Sequence, residues 1–157
     1  FLKNEKKLNS PGIFGDPALL LKELYVPQKM NELTQKIAII PHKSHYGHYK
    51  KMKLDKKYVV INPREHWKTV VDSIYSAKSI ISSSLHGLIV ADAYNKPNIM
   101  LCEIELTEGT FKFKDYYLSQ KRPFIFINTI DEFDEKLLYN QGNKLDLKKL
   151  KDAFPFK

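Results

Sequence analysis

The sequence predicts an α/β fold: a Rossmann-like, mostly parallel sheet with helices on both faces. Two patterns predict it. Short runs rich in Ile and Val alternate with longer stretches whose apolar residues recur at helical spacing. Proline, asparagine, aspartate or serine stands at most of the boundaries between them. Such alternation builds βαβ units, and right-handed crossovers then place helices on the two faces of one sheet. With 157 residues the chain is long enough for one domain with its own core.

Residues 1–35 read as a connector or hinge with a short helix, not as core. "NSPGIFGDP" is rich in turn formers, and Asp16 before Pro17 is an N-cap with proline at the first helical position. The helix covers residues 17–25 and stops before Pro27. Residues 36–157 form the Rossmann-like domain. "KIAIIPH" is its first strand and "KYVVINP" its second. "EHWKTVVDSIYSA" is a helix with Trp67, Val70, Val71, Ile74 and Tyr75 on its apolar face; Asn62 caps it, Pro63 opens it and Glu65 completes a capping box. "SIISS" is the third strand, and "LHGLIVADAYN" is the helix after it, stopped by Asn95 and Pro97. "NIMLCE" is the fourth strand, "FIFINT" the fifth, "DEFDEKLLYN" a helix and "DLKKLKDAFPF" the last one. "GTFKFKDYYLSQKRP" alternates aromatic and basic residues, which fits an exposed edge strand, a base-stacking surface or a loop folding cations over the sheet edge.

No apolar run approaches the roughly 18 residues of a membrane-spanning helix. The basic "FLKNEKKLNS" has no apolar stretch behind it, so no signal peptide is expected. The one cysteine, Cys102, excludes an internal disulfide, points to the cytoplasm and reads as inert core. The net charge of +8 comes mostly from lysine, as in "HYKKMKLDKK". Such a run is either a solvated surface or an attraction for an anion, whether nucleic acid, anionic lipid or a phosphorylated substrate.

In an open parallel sheet, ligands bind beyond the carboxyl ends of the strands. The predicted strands deliver His42, then Arg64, then Ser82, Ser83, Ser84 and His86, then Cys102 and Glu103 to that edge. Ser83, Ser84 and Leu85 lead into a helix whose first amides point outward and carry roughly half a positive charge. That suits a phosphate or carboxylate, and Gly87 has no side chain to shield the backbone. The competing reading keeps the serines as helix caps and His86 as a satisfied core histidine. His42, His45 and His48 are spaced by threes, but the segment reads as irregular and neither carboxylate nor cysteine joins them, so no metal is expected. No cofactor is expected either. "GIFGDP" lacks the glycine spacing and the lysine–serine end of a phosphate loop.

The stretch "SSLHGLIVADAYNKP", with "GDPALLL", "IIPH", "HWKTVVDSIYSAKSI", "KFKDYYLS" and "AFPF" around it, resembles the polysaccharide pyruvyl transferase family over nearly the whole chain. The resemblance implies a two-domain enzyme arranged like the GT-B glycosyltransferases. This chain would be its carboxyl-terminal, donor-binding part, with the amino-terminal domain outside it and turnover by the part alone in question. It implies transfer of a pyruvyl group from phosphoenolpyruvate to a sugar of a cell-surface polysaccharide or its lipid-linked precursor, giving a ketal. By the same resemblance His86 is the family's histidine, either the acid or a group that holds the donor. Ser84 stands where some members carry an arginine, so Arg64, Lys112 or Lys114 would grip the donor instead. A helix N-terminus disfavours imidazolium, and the bound anion would reverse that. The implied partners are phosphoenolpyruvate and a saccharide acceptor, at the inner face of the membrane and without nucleic acid. Two other readings stay open: the nucleotide-sugar-binding half of a GT-B glycosyltransferase, which would favour a nucleotide diphosphate, and a non-catalytic basic module, whose binding to nucleic acid or membrane would fall with salt.

Overall fold

The computed structural model describes residues 15–102 and 110–153. At its centre is a five-stranded parallel sheet of β1 (Ile37–Ile40), β2 (Tyr58–Val60), β3 (Ser79–Ser82), β4 (Asn98–Leu101) and β5 (Phe126–Ile127). The spatial order is β2-β1-β3-β4-β5. The chain steps outward from β1 to β2, crosses back past β1 to β3, and continues away on that side. Winding therefore reverses between β1 and β3, and in doubly wound sheets ligands bind in the crevice at such a reversal.

Alternation along the strands sorts the core into two layers. Ile37, Ile39, Ile81, Ile99 and Leu101 face one side, with Tyr49 of α2 (Tyr46–Lys51) and Ile130 packed on them. Ala38, Ile40, Ile80 and Met100 face the other. That second side carries α3 (Trp67–Ser76), α4 (Leu85–Ala93), α5 (Thr110–Ser119) and α6 (Leu147–Asp152). The helix α4 lies in the middle of this layer and is buried at every position from Gly87 to Ala93. An apolar all-round helix needs such a setting.

Residues 15–35 depart from the connector expected of them. Pro17–Leu20 is a 3-10 turn capped by Asp16, and it runs into the single turn α1 (Leu21–Leu24). Leu19 is fully buried in the core formed with α4 and α5. Tyr25 OH donates to Asp72 at 2.8 Å, and Met30 N–H donates to Ser76 Oγ at 2.7 Å. The apolar run "ALLL" packs on the domain because there its burial removes more apolar surface from water than a free hinge would.

Other elements differ too. "GTFKFKDYYLSQKRP" holds a helix, α5, because Phe113, Tyr116 and Tyr117 at i, i+3 and i+4 are buried, and that spacing overrides the two-residue alternation. The helix predicted over residues 131–140 is two 3-10 turns, Ile130–Glu132 and Glu135–Leu137. Between them Phe133 is extended, its ring edge-on to Tyr58 at 6.4 Å. Asn62 Nδ2 does donate to Glu65 Oε1 at 3.0 Å, but in a separate turn, and α3 begins only at Trp67. Trp67 and Tyr75 are 49% and 37% exposed, so the apolar face of α3 is narrower than expected. The histidine and lysine segment forms α2, anchored by buried Tyr49. Among the described residues no helix is long and apolar enough to cross a membrane. Glu103, residues 1–14 and residues 154–157 lie outside the described residues.

Candidate functional site

The ends of β1 and β3 are stitched together by serines. His42 N–H donates to Ser83 Oγ at 2.8 Å, and Ser83 N–H donates to the Ile40 carbonyl at 3.1 Å. The buried Ser82 hydroxyl lies 2.9 Å from both the Ile40 and Ser84 carbonyl oxygens and accepts from Ser84 N–H at 3.0 Å. Ser84 is the extended N-cap residue of α4, yet its side chain makes no capping bond. The serines thus serve strand ends more than helix capping, and the first turn of α4 keeps its outward amides without help from Ser84.

Gly87 has a different reason from the one the sequence suggested. A Cβ there would stand 2.4 Å from Ser82 Oγ and 3.3 Å from Ile40 Cγ2. The missing side chain lets α4 lie down on β1 and β3.

His86 is no core histidine. Its side chain is 73% exposed, and Nε2 lies 3.9 Å from Asp16 Oδ2. Asp16 is held in place through its other oxygen, which accepts from Ala18 N–H at 2.8 Å. Sequence reasoning saw Asp16 only as a helix cap; nothing local marks it as a neighbour of His86.

Two depressions flank the first turn of α4. The larger, about 740 Å³, is lined by Asp16, Leu85, Phe111, Lys112, Asp115 and Tyr116 among others. The smaller, about 250 Å³, takes in Glu65, Trp67, Ser84, His86 and Gly87. Consecutive residues Leu85 and His86 line one each.

Lys112 reaches the same ground. It lines the larger cleft, and its charge acts on His42. Burial first, then Lys112, His45 and Lys43, hold the His42 imidazole below the ordinary histidine range. His42 Nδ1 lies 2.7 Å from Ser44 Oγ. Lys114 points elsewhere, its Nζ 5.7 Å from the Phe124 ring centre. Arg64 is exposed in the turn after β2, its N–H bonded to Asn62 Oδ1 at 3.1 Å, and lines neither depression. Ser84, His86 and Gly87 thus line the smaller depression, Leu85 and Lys112 the larger, and His42 is tied to Ser83 at the strand ends, while Arg64 and Lys114 line neither depression. His42 and His45 have ring centres 6.1 Å apart, and among the described residues no group of three or more His, Cys, Asp or Glu could hold a metal ion.

The far end of α4 is fixed by a polar cluster that the sequence did not announce. Arg122 NH1 lies 3.1 Å from Asp92 Oδ2, and both side chains are almost wholly buried. Asp92 also accepts from Tyr116 OH and Asn98 Nδ2, each at 2.6 Å. The guanidinium is sandwiched 4.0 Å from the centres of the Tyr117 and Tyr139 rings. Burial pushes the Tyr117 hydroxyl up to about 12 and raises the Asp92 carboxyl, the latter against the pull of Arg122. Asp92 is about 9 Å along the helix axis from His86, so this cluster anchors the helix without entering the site.

A doubly wound α/β domain, with two histidines and a helix N-terminus at its switch point and a lysine lining the cleft beside that helix, is the class of protein this architecture defines. The sequence profile of the polysaccharide pyruvyl transferase family matches residues 2–101, and the chain belongs to that family of transferases. The match takes in β1 to β4, Asp16, His42 and the whole turn from Ser82 to Gly87, while Lys112 and Lys114 lie beyond it. No curated protein and no solved structure matches the chain significantly.

Proposed function

We propose that this chain is the donor-binding part of a GT-B-type pyruvyl transferase, taking phosphoenolpyruvate at the β1/β3 crevice and passing its pyruvyl group to a saccharide hydroxyl. One observation supports the reading: the uncapped first turn of α4 has on one side a cleft lined by Lys112, whose charge reaches His42, and on the other a groove lined by an exposed His86 with a carboxylate neighbour. Phosphoenolpyruvate presents a phosphate and a carboxylate, the groups that helix amides and a lysine recognise.

The chemistry follows from the donor. A sugar hydroxyl oxygen bonds to C2 as C3 takes a proton from His86 to become a methyl group, and the proton lost by that hydroxyl restores the histidine. A second hydroxyl of the same sugar then replaces phosphate at C2, the C2–O bond breaks, and its proton leaves with the phosphate. His86 supplies the first proton, a contribution of typically ~10²–10⁴ in rate. Asp16 acts through His86 as a positioning residue, and Lys112 holds the phosphate. The acceptor is a cell-surface polysaccharide or its lipid-linked precursor, met at the inner face of the membrane.

The test is a thermal-shift titration at fixed ionic strength with phosphoenolpyruvate, UDP and inorganic phosphate, on the native chain, His86→Ala and Lys112→Met. Ligand that binds only the folded state raises stability with RT ln(1 + [L]/Kd). The expected result is saturable stabilisation by phosphoenolpyruvate, larger than by UDP or phosphate and lost in both variants. Stronger stabilisation by UDP would return the chain to the sugar-nucleotide reading. A salt-sensitive response that never saturates and ignores His86→Ala would make it a basic binding module.

A further inference from the structure

We infer that the groove beside His86 is a subsite for a neutral hexopyranose, with Trp67 as its stacking platform. This rests on the proposed function, since it seats the acceptor sugar next to the donor. Trp67 is the only tryptophan of the chain. It opens α3, whose Val71 and Ile74 are buried, and yet it is 49% exposed. The indole is nevertheless held. Tyr25 meets it edge-on with ring centres 5.1 Å apart, and Tyr25 is itself tied to Asp72 by its hydroxyl. Lys68 Nζ lies 5.6 Å from the centres of both rings. An aromatic ring fixed by its neighbours but open to solvent is a preformed contact surface.

The groove matches a sugar ring in its other walls. Ile40, Val71 and Val90 form an apolar floor, and Glu65, Ser84 and His86 bring polar groups to it. A pyranose has the same division, with C–H groups on its faces and hydroxyls around its rim. Asn62 steadies the Glu65 carboxylate at 3.0 Å, leaving it to accept from hydroxyls and to disfavour an anion. The Ser84 hydroxyl makes no capping bond. At about 250 Å³ the groove lies just under the roughly 300–1,000 Å³ of drug-sized ligand sites, which suits one ring. His86 then stands between the groove and the neighbouring cleft, where a hydroxyl entering from one meets an anion held in the other.

Because Trp67 is the sole tryptophan, its fluorescence reports on the groove directly. The full chain is titrated with the methyl glycosides of glucose, galactose and mannose, with and without phosphoenolpyruvate, and separately with UDP. Phosphoenolpyruvate binding is scored independently by thermal shift. The expected result is a saturable change in emission with at least one glycoside. Thermal shift should find the same glycoside bound about tenfold more weakly by Trp67→Leu, the scale of one lost ring contact, and nearly normally by Trp67→Phe. Glu65→Gln should weaken the glycoside and leave phosphoenolpyruvate untouched. No response to any glycoside while phosphoenolpyruvate still stabilises would overturn the subsite and leave the donor reading standing. A response to UDP alone would overturn it in favour of a nucleotide-base platform. A glycoside response without one to phosphoenolpyruvate supports the subsite and sinks the donor reading, and silence towards both overturns both.

Discussion

His42 and Ser83 are joined across the switch point of the sheet, the His42 N–H donating to Ser83 Oγ at 2.8 Å. The bond sets the distance between the two strand ends that frame the crevice. Ser83 is 1% exposed, so removing its hydroxyl leaves the half-buried His42 N–H without its acceptor. Ser83→Ala should therefore cost about 1–2 kcal/mol in urea unfolding and weaken phosphoenolpyruvate binding in the same protein. Unchanged stability and binding would show that the strand ends keep their places without the hydroxyl.

His42 should titrate below the ordinary 6.5, since burial first and the Lys112, His45 and Lys43 charges next all disfavour its proton. The unfolded chain then binds more protons than the folded one as pH falls below 6.5, so stability is level above that value and declines from there down through the folded-state value. An NMR titration of the His42 ring measures this. Lys112→Met should move the midpoint up towards 6.5, and bound phosphoenolpyruvate should move it up as well. A midpoint at or above 6.5 in the free protein would contradict the arrangement.

Gly87 tests the packing of α4 on the sheet. In Gly87→Ala the new methyl group meets Ser82 Oγ at 2.4 Å, and turning that hydroxyl away breaks its bonds to the strand and turn. A loss of about 1–3 kcal/mol is expected from thermal or chemical unfolding. Adding Ser82→Ala should recover part of it, because the closest contact disappears. A freely tolerated alanine would mean that α4 can shift at its N-terminus.

Asp92 and Arg122 should behave as a buried pair whose replacement costs are less than additive. Asp92→Asn leaves a buried guanidinium without its counter-charge, and about 3–5 kcal/mol should be lost in denaturant unfolding. The double variant Asp92→Asn with Arg122→Met should lose less than the two single losses added together. Strict additivity would show that the two charges do not act on each other.

Much of the fold was legible because its signals are local. "KIAII", "SII" and "NIML" are short apolar runs, and an apolar run of that length between turn formers can be little else than a strand buried on both faces. The turn after the third strand was readable for the same reason, and with it the position of His86 at the sheet edge. Where two periods competed, as in residues 110–119, the sequence supported both, and only the burial of Phe113, Tyr116 and Tyr117 decided for the helix.

By itself, then, the sequence determined the alternating elements, the family and the histidine turn, since these depend on residues a few positions apart. The tertiary structure decided which distant side chains meet. It placed Asp16 beside His86, set Lys112 and not Lys114 or Arg64 in the lining of the larger cleft, left Trp67 exposed at a groove, and buried Arg122 on Asp92. Such pairs carry no mark in their own neighbourhoods. Their distances are set by how helices settle on the sheet, where the absence of one methyl group at Gly87 governs the approach of α4.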